Sequence, residues 1–301
     1  MKIKIKDRLD YCWGNFEYDY DTPKCVDKAL HDRVFCVDVK DYSNLKDCYI
    51  KDLNRLRSFC AVPFYVKCGD SVSNENFPIL TKIRYMESKG VISNLNSVRH
   101  FAPVPVVWER LDTPWDKKAN KVYWRGSTTG YHKEGYNRYN FVKDYYKKYD
   151  IGFGIKPHPD IYKFKPQIAK EMQGYVKNLG WQDQHLKNKY LPAVEGNDKS
   201  SSIPWILASS SVLIMPKPRY HSWLCEPWLE GGVHYVEVKQ DWSDFDEKIS
   251  WCKDNDSKCK EISDNATQFM KNNFFNESEH TTERMLLLAV QEFILKAKGL
   301  S

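Results

Sequence analysis

No apolar run in this sequence approaches the roughly 18 residues a helix needs to cross a bilayer, which excludes a helical membrane span. Cysteine is present but unpatterned. Cys12, Cys25, Cys36, Cys48, Cys60, Cys68, Cys225, Cys252 and Cys259 form an odd set, with no C-x-x-C and no histidine at zinc-finger spacing from a pair. That argues against a disulfide framework and against a structural zinc. The start, Met1-Lys2-Ile3-Lys4-Ile5-Lys6-Asp7, lacks the apolar stretch of a secretory leader. The expectation is a soluble, cytoplasmic protein kept in a reducing compartment. The sequons Asn265-Ala266-Thr267 and Asn276-Glu277-Ser278 are then chance matches. Charge of one sign is also scarce: the net charge is +6 over 301 residues, and the lysines are interleaved with Asp and Glu. That balance suits a small anionic ligand, and without a clustered basic patch it makes no case for nucleic acid. Internal repeats and low-complexity tracts are absent.

What is present is a core and many aromatics. Hydrophobic residues make up 42% of the chain and aromatics 14%, with ten Trp and nineteen Tyr. Flat side chains with a polar tip suit either packing or stacking on sugar rings. Short apolar runs recur at Val34-Phe35-Cys36-Val37, Val62-Pro63-Phe64-Tyr65-Val66, Val104-Pro105-Val106-Val107-Trp108, Val122-Tyr123-Trp124 and Ile151-Gly152-Phe153-Gly154-Ile155. Others lead into Glu195, span Val212 to Met215, and span Tyr235 to Val238. Helical periodicity lies between several of them, at 139–146, 203–208 and 245–252, and again over 281–298. Ser243, followed by Asp246 and Glu247, reads as a helix N-cap with acids in the first turn. Strands alternating with helices predict an α/β fold with a mainly parallel sheet. The length fits two domains or one large one, and 112–120, with Pro114 and several charges, reads as a linker.

Four places could carry chemistry. The stretch Tyr190-Leu191-Pro192-Ala193-Val194-Glu195-Gly196-Asn197-Asp198 reads as a buried strand ending in acidic and amide groups, followed by a helix through Trp205. In an open α/β sheet ligands bind at the carboxyl ends of such strands, and these groups suit the hydroxyls of a ribose or a sugar. Tyr123-Trp124-Arg125-Gly126-Ser127-Thr128-Thr129-Gly130 is a strand running into a Gly/Ser/Thr turn, with Arg138 opening the next helix. Its amides, hydroxyls and guanidinium groups are the parts of an anion site, and equally of an ordinary strand-turn-helix. Asp70, in Cys68-Gly69-Asp70-Ser71, is placed either as a general base at a strand end or in an Asx-turn. Lys82, Arg84, Arg99 and His100 either face an anion or are solvated. The Asp-x-Asp pairs at 19–21, 244–246 and 254–256 have metal-holding spacing, but the last two lie where helix capping explains them, and no metal is assigned.

Taken together, Trp124 to Gly130, Arg138, Glu195 to Asp198, Trp205, Ser209 to Met215, Ser222-Trp223, Glu226, His234-Tyr235-Val236 and the run from Asp241 to Trp251 resemble the CAP10-like glycosyltransferases. That family includes protein O-glucosyltransferases and capsule xylosyltransferases. The resemblance covers about 60–274 and is closest to the short algal, bacterial and viral members. It implies a GT-B fold of two Rossmann-like domains facing across a cleft. The domains expected are 1–115 on the acceptor side, 116–280 for the nucleotide-sugar, and a terminal helix at 281–301 returning to the first. It implies an inverting transfer, without metal or other cofactor, from UDP-xylose or UDP-glucose, xylose being the first expectation. The acceptor is a hydroxyl of a glycan or glycoside. Asp70 matches the family's catalytic base. Arg125 and Ser127, with Gly126, Thr128, Thr129 and Arg138, match the diphosphate site. Glu195, Asn197 and Asp198 line the donor pocket, and Glu226 matches a ribose contact beside Ser222 and Trp223. Better-known animal members carry an Arg where this chain has Ser202, so Lys199 or Arg138 is expected to replace one phosphate contact. Glu230-Gly231-Gly232 stands where a Pro-aromatic pair is usual. The competing readings are a metal-dependent GT-A-like transferase and a carbohydrate-binding or scaffold protein without turnover.

Overall fold

The structure is a computed structural model that describes residues 1–18, 34–37, 47–58, 60, 62, 64–69, 72–74, 76–85, 87–178, 180 and 182–300, without the side chains of 34–37, 47, 48 and 57. Asp70, Ser71 and the Asp19–Asp21 pair lie outside the described residues. In chain order, α1 (Ile5–Trp13), β1 (Val34–Val37), α2 (Asp47–Arg57), β2 (Phe64–Lys67), β3 (Leu80–Thr81), β4 (Ile83–Arg84) and β5 (Val91–Ile92) come first. They are followed by β6 (Ala119–Gly126), α3 (Arg138–Tyr145), β7 (Asp150–Phe153), α4 (Pro159–Phe164), α5 (Pro166–Gly174), β8 (Asn188–Pro192), α6 (Ile203–Leu207), β9 (Val212–Pro216), β10 (His221–Ser222) and β11 (Val236–Val238). The chain ends in α7 (Phe245–Asp254), α8 (Asp256–Asn273) and α9 (Glu277–Ala297).

Two compact units result. The first comprises Met1–Ala102, Arg219–Trp228 and Lys271–Ser301; the second comprises Pro103–Pro218 and Leu229–Met270. In the first, β1 pairs antiparallel with β2, while β2, β3 and β5 run parallel, and β10 pairs antiparallel with β4. α1 packs along α9, with Arg8 buried between the rings of Trp223 and Phe274 at 4.5 and 4.7 Å. A guanidinium survives such burial because it stacks on ring faces while its N–H groups reach carbonyls. Here Arg8 donates to Asn273 O at 2.7 Å and Trp223 O at 3.0 Å.

The second unit is an all-parallel five-stranded sheet in the order β11-β9-β8-β6-β7. Its inner strands are buried along nearly their whole length, as Tyr190-Leu191-Pro192 and Val212-Leu213-Ile214-Met215 are. That is why the sequence shows continuous apolar runs there and no alternation. In β6 the period of two survives at one point: Val122 and Trp124 enter the core, and Tyr123 and Arg125 lie on the opposite face. The core joins Trp124, Phe141, Phe153, Trp242, Phe245 and Ile249, with Phe141 edge-on to Trp242 at 4.7 Å. Burying each such side chain stabilises the fold by about 1.5–3 kcal/mol. At the edge of the sheet, residues 175–177 run beside β7: Phe153 N donates to Tyr175 O at 3.0 Å, and Lys177 N to Phe153 O at 2.8 Å.

Three local expectations are corrected. The run 104–108 is not a strand; Pro103–Val106 is helical and Val107–Leu111 continues as a wider, π-type turn. Pro103 and Pro105 fix φ near the helical value and remove two ladder donors, so the run coils and buries only Val104 and Val107. Ser243 does not cap α7. The residue before the helix is Asp244, whose carboxylate accepts from Lys239 N at 2.9 Å and so closes the preceding turn. The segment 112–120 is packed into the second unit, with Trp115 buried and Lys118 paired to Asp112 at 2.8 Å.

Candidate active site

Counting strands from β6, the second unit has the order 2-1-3-4-5: β7 lies on one side of β6, and β8, β9 and β11 on the other. In such sheets the chain leaves the first and third strands in opposite directions, and the crevice at their carboxyl ends is the usual ligand position. The residues there are those the sequence singled out: Ser127 to Gly130 leave β6, and Ala193 to Asp198 leave β8.

These two loops touch backbone to backbone. Gly130 has φ +86°, and a Cβ on it would lie 2.7 Å from the carbonyl oxygen of Gly196. A Cβ on Gly196 would meet Thr129 Oγ1 at 2.7 Å. Only glycine at both positions permits the approach. Asn197 Oδ1 then accepts from Gly130 N at 2.9 Å. Arg138, the first residue of α3, bridges the loops. Its Nη1 donates to Ser127 Oγ at 3.0 Å and Thr129 Oγ1 at 2.8 Å, while Nε and Nη2 donate to Val194 O at 3.1 and 3.0 Å. Arg138 is held there because Asn137 caps α3 in a capping box with Asn140. Ser127 Oγ and Thr129 Oγ1 are 2.9 Å apart, and Thr128 is buried with its hydroxyl accepting from His158 N at 3.3 Å. Glu195 and Asn197 are part-exposed at this edge, and Asp198 is buried beside them. The arrangement sets hydroxyls over one guanidinium on one loop, and carboxylates with an amide on the other.

Arg125 points elsewhere. Its Nη2 donates to Asp150 Oδ1 at 2.6 Å, and its Nη1 to Asp150 O and Trp124 O, both at 2.8 Å. It also lies 4.4 Å over the Tyr123 ring. Burial alone would raise the Asp150 carboxyl, but hydrogen bonds from Arg125 and Lys177 outweigh it and hold the group below the ordinary carboxylate range. Gly126 is the turn-in point, where a Cβ would sit 2.4 Å from the Trp124 ring.

Ser222, Trp223 and Glu226 belong to the first unit. Glu226 is buried and folds back on its own turn, accepting from Ser222 N at 2.7 Å, from Ser222 Oγ, and from Tyr11 OH at 3.3 Å. Burial, and then the Glu226 charge, push the Tyr11 phenol well up. Trp223 is buried and donates from Nε1 to Glu279 at 2.6 Å. Lys82 and Arg84 are buried instead of solvated, and Arg84 donates to the carbonyls of Tyr11 at 2.5 Å and Gly90 at 3.0 Å. Of the Asp-x-Asp acids, Asp246 is engaged by Tyr149 and Lys148, and Asp256 by Trp115 and Lys189. At the end of β2, Gly69 has φ +101° and its N–H donates to Tyr49 OH at 2.9 Å. Tyr11, Tyr49, Asp150 and His158 were not legible as partners, because nothing in a sequence signals pairing across so many residues.

The family model for glycosyl transferase family 90 matches residues 85–286, more than half of the chain. The chain belongs to that family. Among curated relatives of this family 90 transferase, it is 28% identical over 246 residues to the O-glucosyltransferase LpsA of Dichelobacter nodosus, covering 79% of this chain and 70% of that protein. It is 26% identical over 260 residues to protein O-glucosyltransferase 2 of Danio rerio, covering 83% of this chain and 46% of the relative. Uncharacterized protein 179R of Invertebrate iridescent virus 6 is 28% identical over 200 residues, which is 56% of this chain and only 16% of the viral protein. The chain therefore spans less than half the length of two of these three relatives. Among the described residues no helix is long and apolar enough to cross a membrane.

Proposed function

We propose that this glycosyltransferase is an inverting, metal-independent enzyme of GT-B type, moving glucose or xylose from a UDP-sugar to a hydroxyl of a glycan or glycoside. The observation that carries the reading is the meeting of 127–130 with 193–198 at the sheet's crevice, tied by Arg138. Two relatives are named O-glucosyltransferases, which makes UDP-glucose the first donor to test and UDP-xylose the second.

The chemistry follows from the parts. The hydroxyls of Ser127, Thr128 and Thr129 and the amides of their turn hydrogen-bond the diphosphate, with the Arg138 charge beneath them. Arg125 keeps a diphosphate role on resemblance. Glu195, Asn197 and Asp198 take donor hydroxyls, and Glu226, with Ser222 and Trp223, keeps a ribose role on resemblance. Asp70 accepts the proton of the acceptor hydroxyl as that oxygen bonds to the anomeric carbon. The bond from this carbon to the diphosphate oxygen breaks, and its electron pair leaves on UDP. Fixed donors aimed at the growing diphosphate charge are the main source of rate in such a step.

The test is calorimetric titration of the full chain with UDP, GDP, UDP-glucose and UDP-xylose, with and without EDTA, followed by product analysis. Metal-independent binding of UDP and one UDP-sugar is expected, and Asp70→Asn should lower kcat by about 10²–10⁴-fold with donor affinity unchanged. No uridine nucleotide bound under any condition would leave a sugar-binding role in its place. Activity abolished by EDTA would return the metal-dependent reading.

A further inference from the structure

The first unit contains a cavity of about 470 Å³ in the loop that leaves β5, with α2 and the start of α9 as its walls. That volume lies in the ~300–1,000 Å³ range of small-ligand sites. Arg55, Asn94, Val98, Phe275, Glu283 and Arg284 are the lining residues that decide what it accepts. Its frame is fixed by internal bonds. Asp52 accepts from Ser97 N at 2.9 Å and from Ser97 Oγ, and Arg55 donates to Asn94 O at 3.2 Å and to Glu283 Oε2. Glu279, at the rim, is occupied by Trp223 and by the N–H of Phe275.

Two oxygen acceptors in this frame have no hydrogen-bond partner among the described residues: Glu283 Oε1 and Asn94 Oδ1. Glu283 is 7% exposed, so its second oxygen is withheld from bulk water as well. A buried acceptor left unmatched costs stability, and a group that completes it recovers that cost. The terminal torsion of a glutamate is broad, so the carboxylate can turn toward a ligand while Arg55 holds its other oxygen. The ligand must donate, because both unmatched groups are acceptors. That disfavours phosphate and carboxylate. A net charge of either sign finds no excess of the opposite sign here, because Arg55 and Arg284 are offset by Glu279 and Glu283 in the lining. A neutral hydroxyl satisfies both conditions, donating to Glu283 or Asn94 while accepting from a guanidinium. Val98 and Phe275, 40% and 41% exposed, offer apolar faces beside these groups. Hydroxyls around an apolar ring face are the signature of a sugar.

We infer that this cavity binds the end of a neutral saccharide, separately from the nucleotide-binding crevice of the second unit. Among hydroxyl ligands, the choice of a saccharide rests on the glycosyltransferase reading above. The experiment titrates the full chain, without any nucleotide, with methyl β-glucopyranoside and cellobiose, using saturation-transfer NMR and calorimetry. Inorganic phosphate and glucuronate serve as anionic comparisons. The expected result is binding of the neutral sugars, weakened about tenfold, or by ~1.4 kcal/mol, in Asn94→Leu and in Val98→Trp. Val98 is exposed, so its replacement blocks the cavity without disturbing the core. Absent sugar binding, binding unchanged in both variants, or tighter binding of phosphate or glucuronate would overturn the inference. A chain that binds the glycoside but not UDP keeps this site and loses the transferase reading; the reverse result loses this site alone.

Discussion

At the scale of single residues, the two arginines of the β6 region do different work. Arg138 spends its guanidinium on two loops at once, so its loss both removes charge and frees the loops. Arg138→Lys should weaken UDP binding by about tenfold or more, since each hydrogen bond from a charged group contributes roughly 1.5–3 kcal/mol. Calorimetry with UDP reads this directly. Arg125 is bound to Asp150, and that pair makes a pH prediction. The Asp150 carboxyl has a folded-state pKa below its ordinary value. Its stabilisation is therefore complete above the unfolded value, near 3.9, and is lost as pH falls through the folded one. Asp150→Asn should lower Tm by a few degrees at neutral pH, with the gap to the parent closing under acid, as thermal melts across pH 2–7 would record. The side chain is about half exposed, so solvent screening keeps the effect near 1 kcal/mol or less.

At the scale of elements, the contact between 127–130 and 193–198 depends on two missing side chains. Gly130→Ala places a Cβ in a left-handed backbone, at about 1–2 kcal/mol, and drives it against Gly196 O. Lower Tm together with lost UDP binding is expected, whereas Gly135→Ala, also at positive φ but with nothing within 4 Å of its Cβ, should lose stability alone. Much of this unit was legible in the sequence. The runs of β8 and β9 are apolar because both faces are covered, and the polar cluster after β8 marks where cover stops. What escaped reading has physical causes. Period two assigned Arg125 to a face but could not choose its rotamer, and Asp150 decided that. Proline chemistry, not hydrophobicity, set the coil at 103–111. Glu226 was legible as a polar group, but its bond from Tyr11, 215 residues away, was not.

At the scale of the whole molecule, each unit carries a proposed site that a separate ligand should report. Hydrogen exchange with saturating UDP should protect the amides of 127–130 and 193–198, while a neutral glycoside should protect those of 94–98. Protection in the wrong set by either ligand would reassign that site. The segment 175–177 beside β7 has another effect. An open parallel sheet ends in a row of unused donors and acceptors, and a bare row of that kind templates pairing with other chains. Here Phe153 is already matched on both its groups, and Gly152 lets Lys177 lie close, because a Cβ would meet its side chain at 2.9 Å. A side chain at that glycine, as in Gly152→Val, would lift the covering strip away. The consequence would be felt as turbidity in concentrated solution.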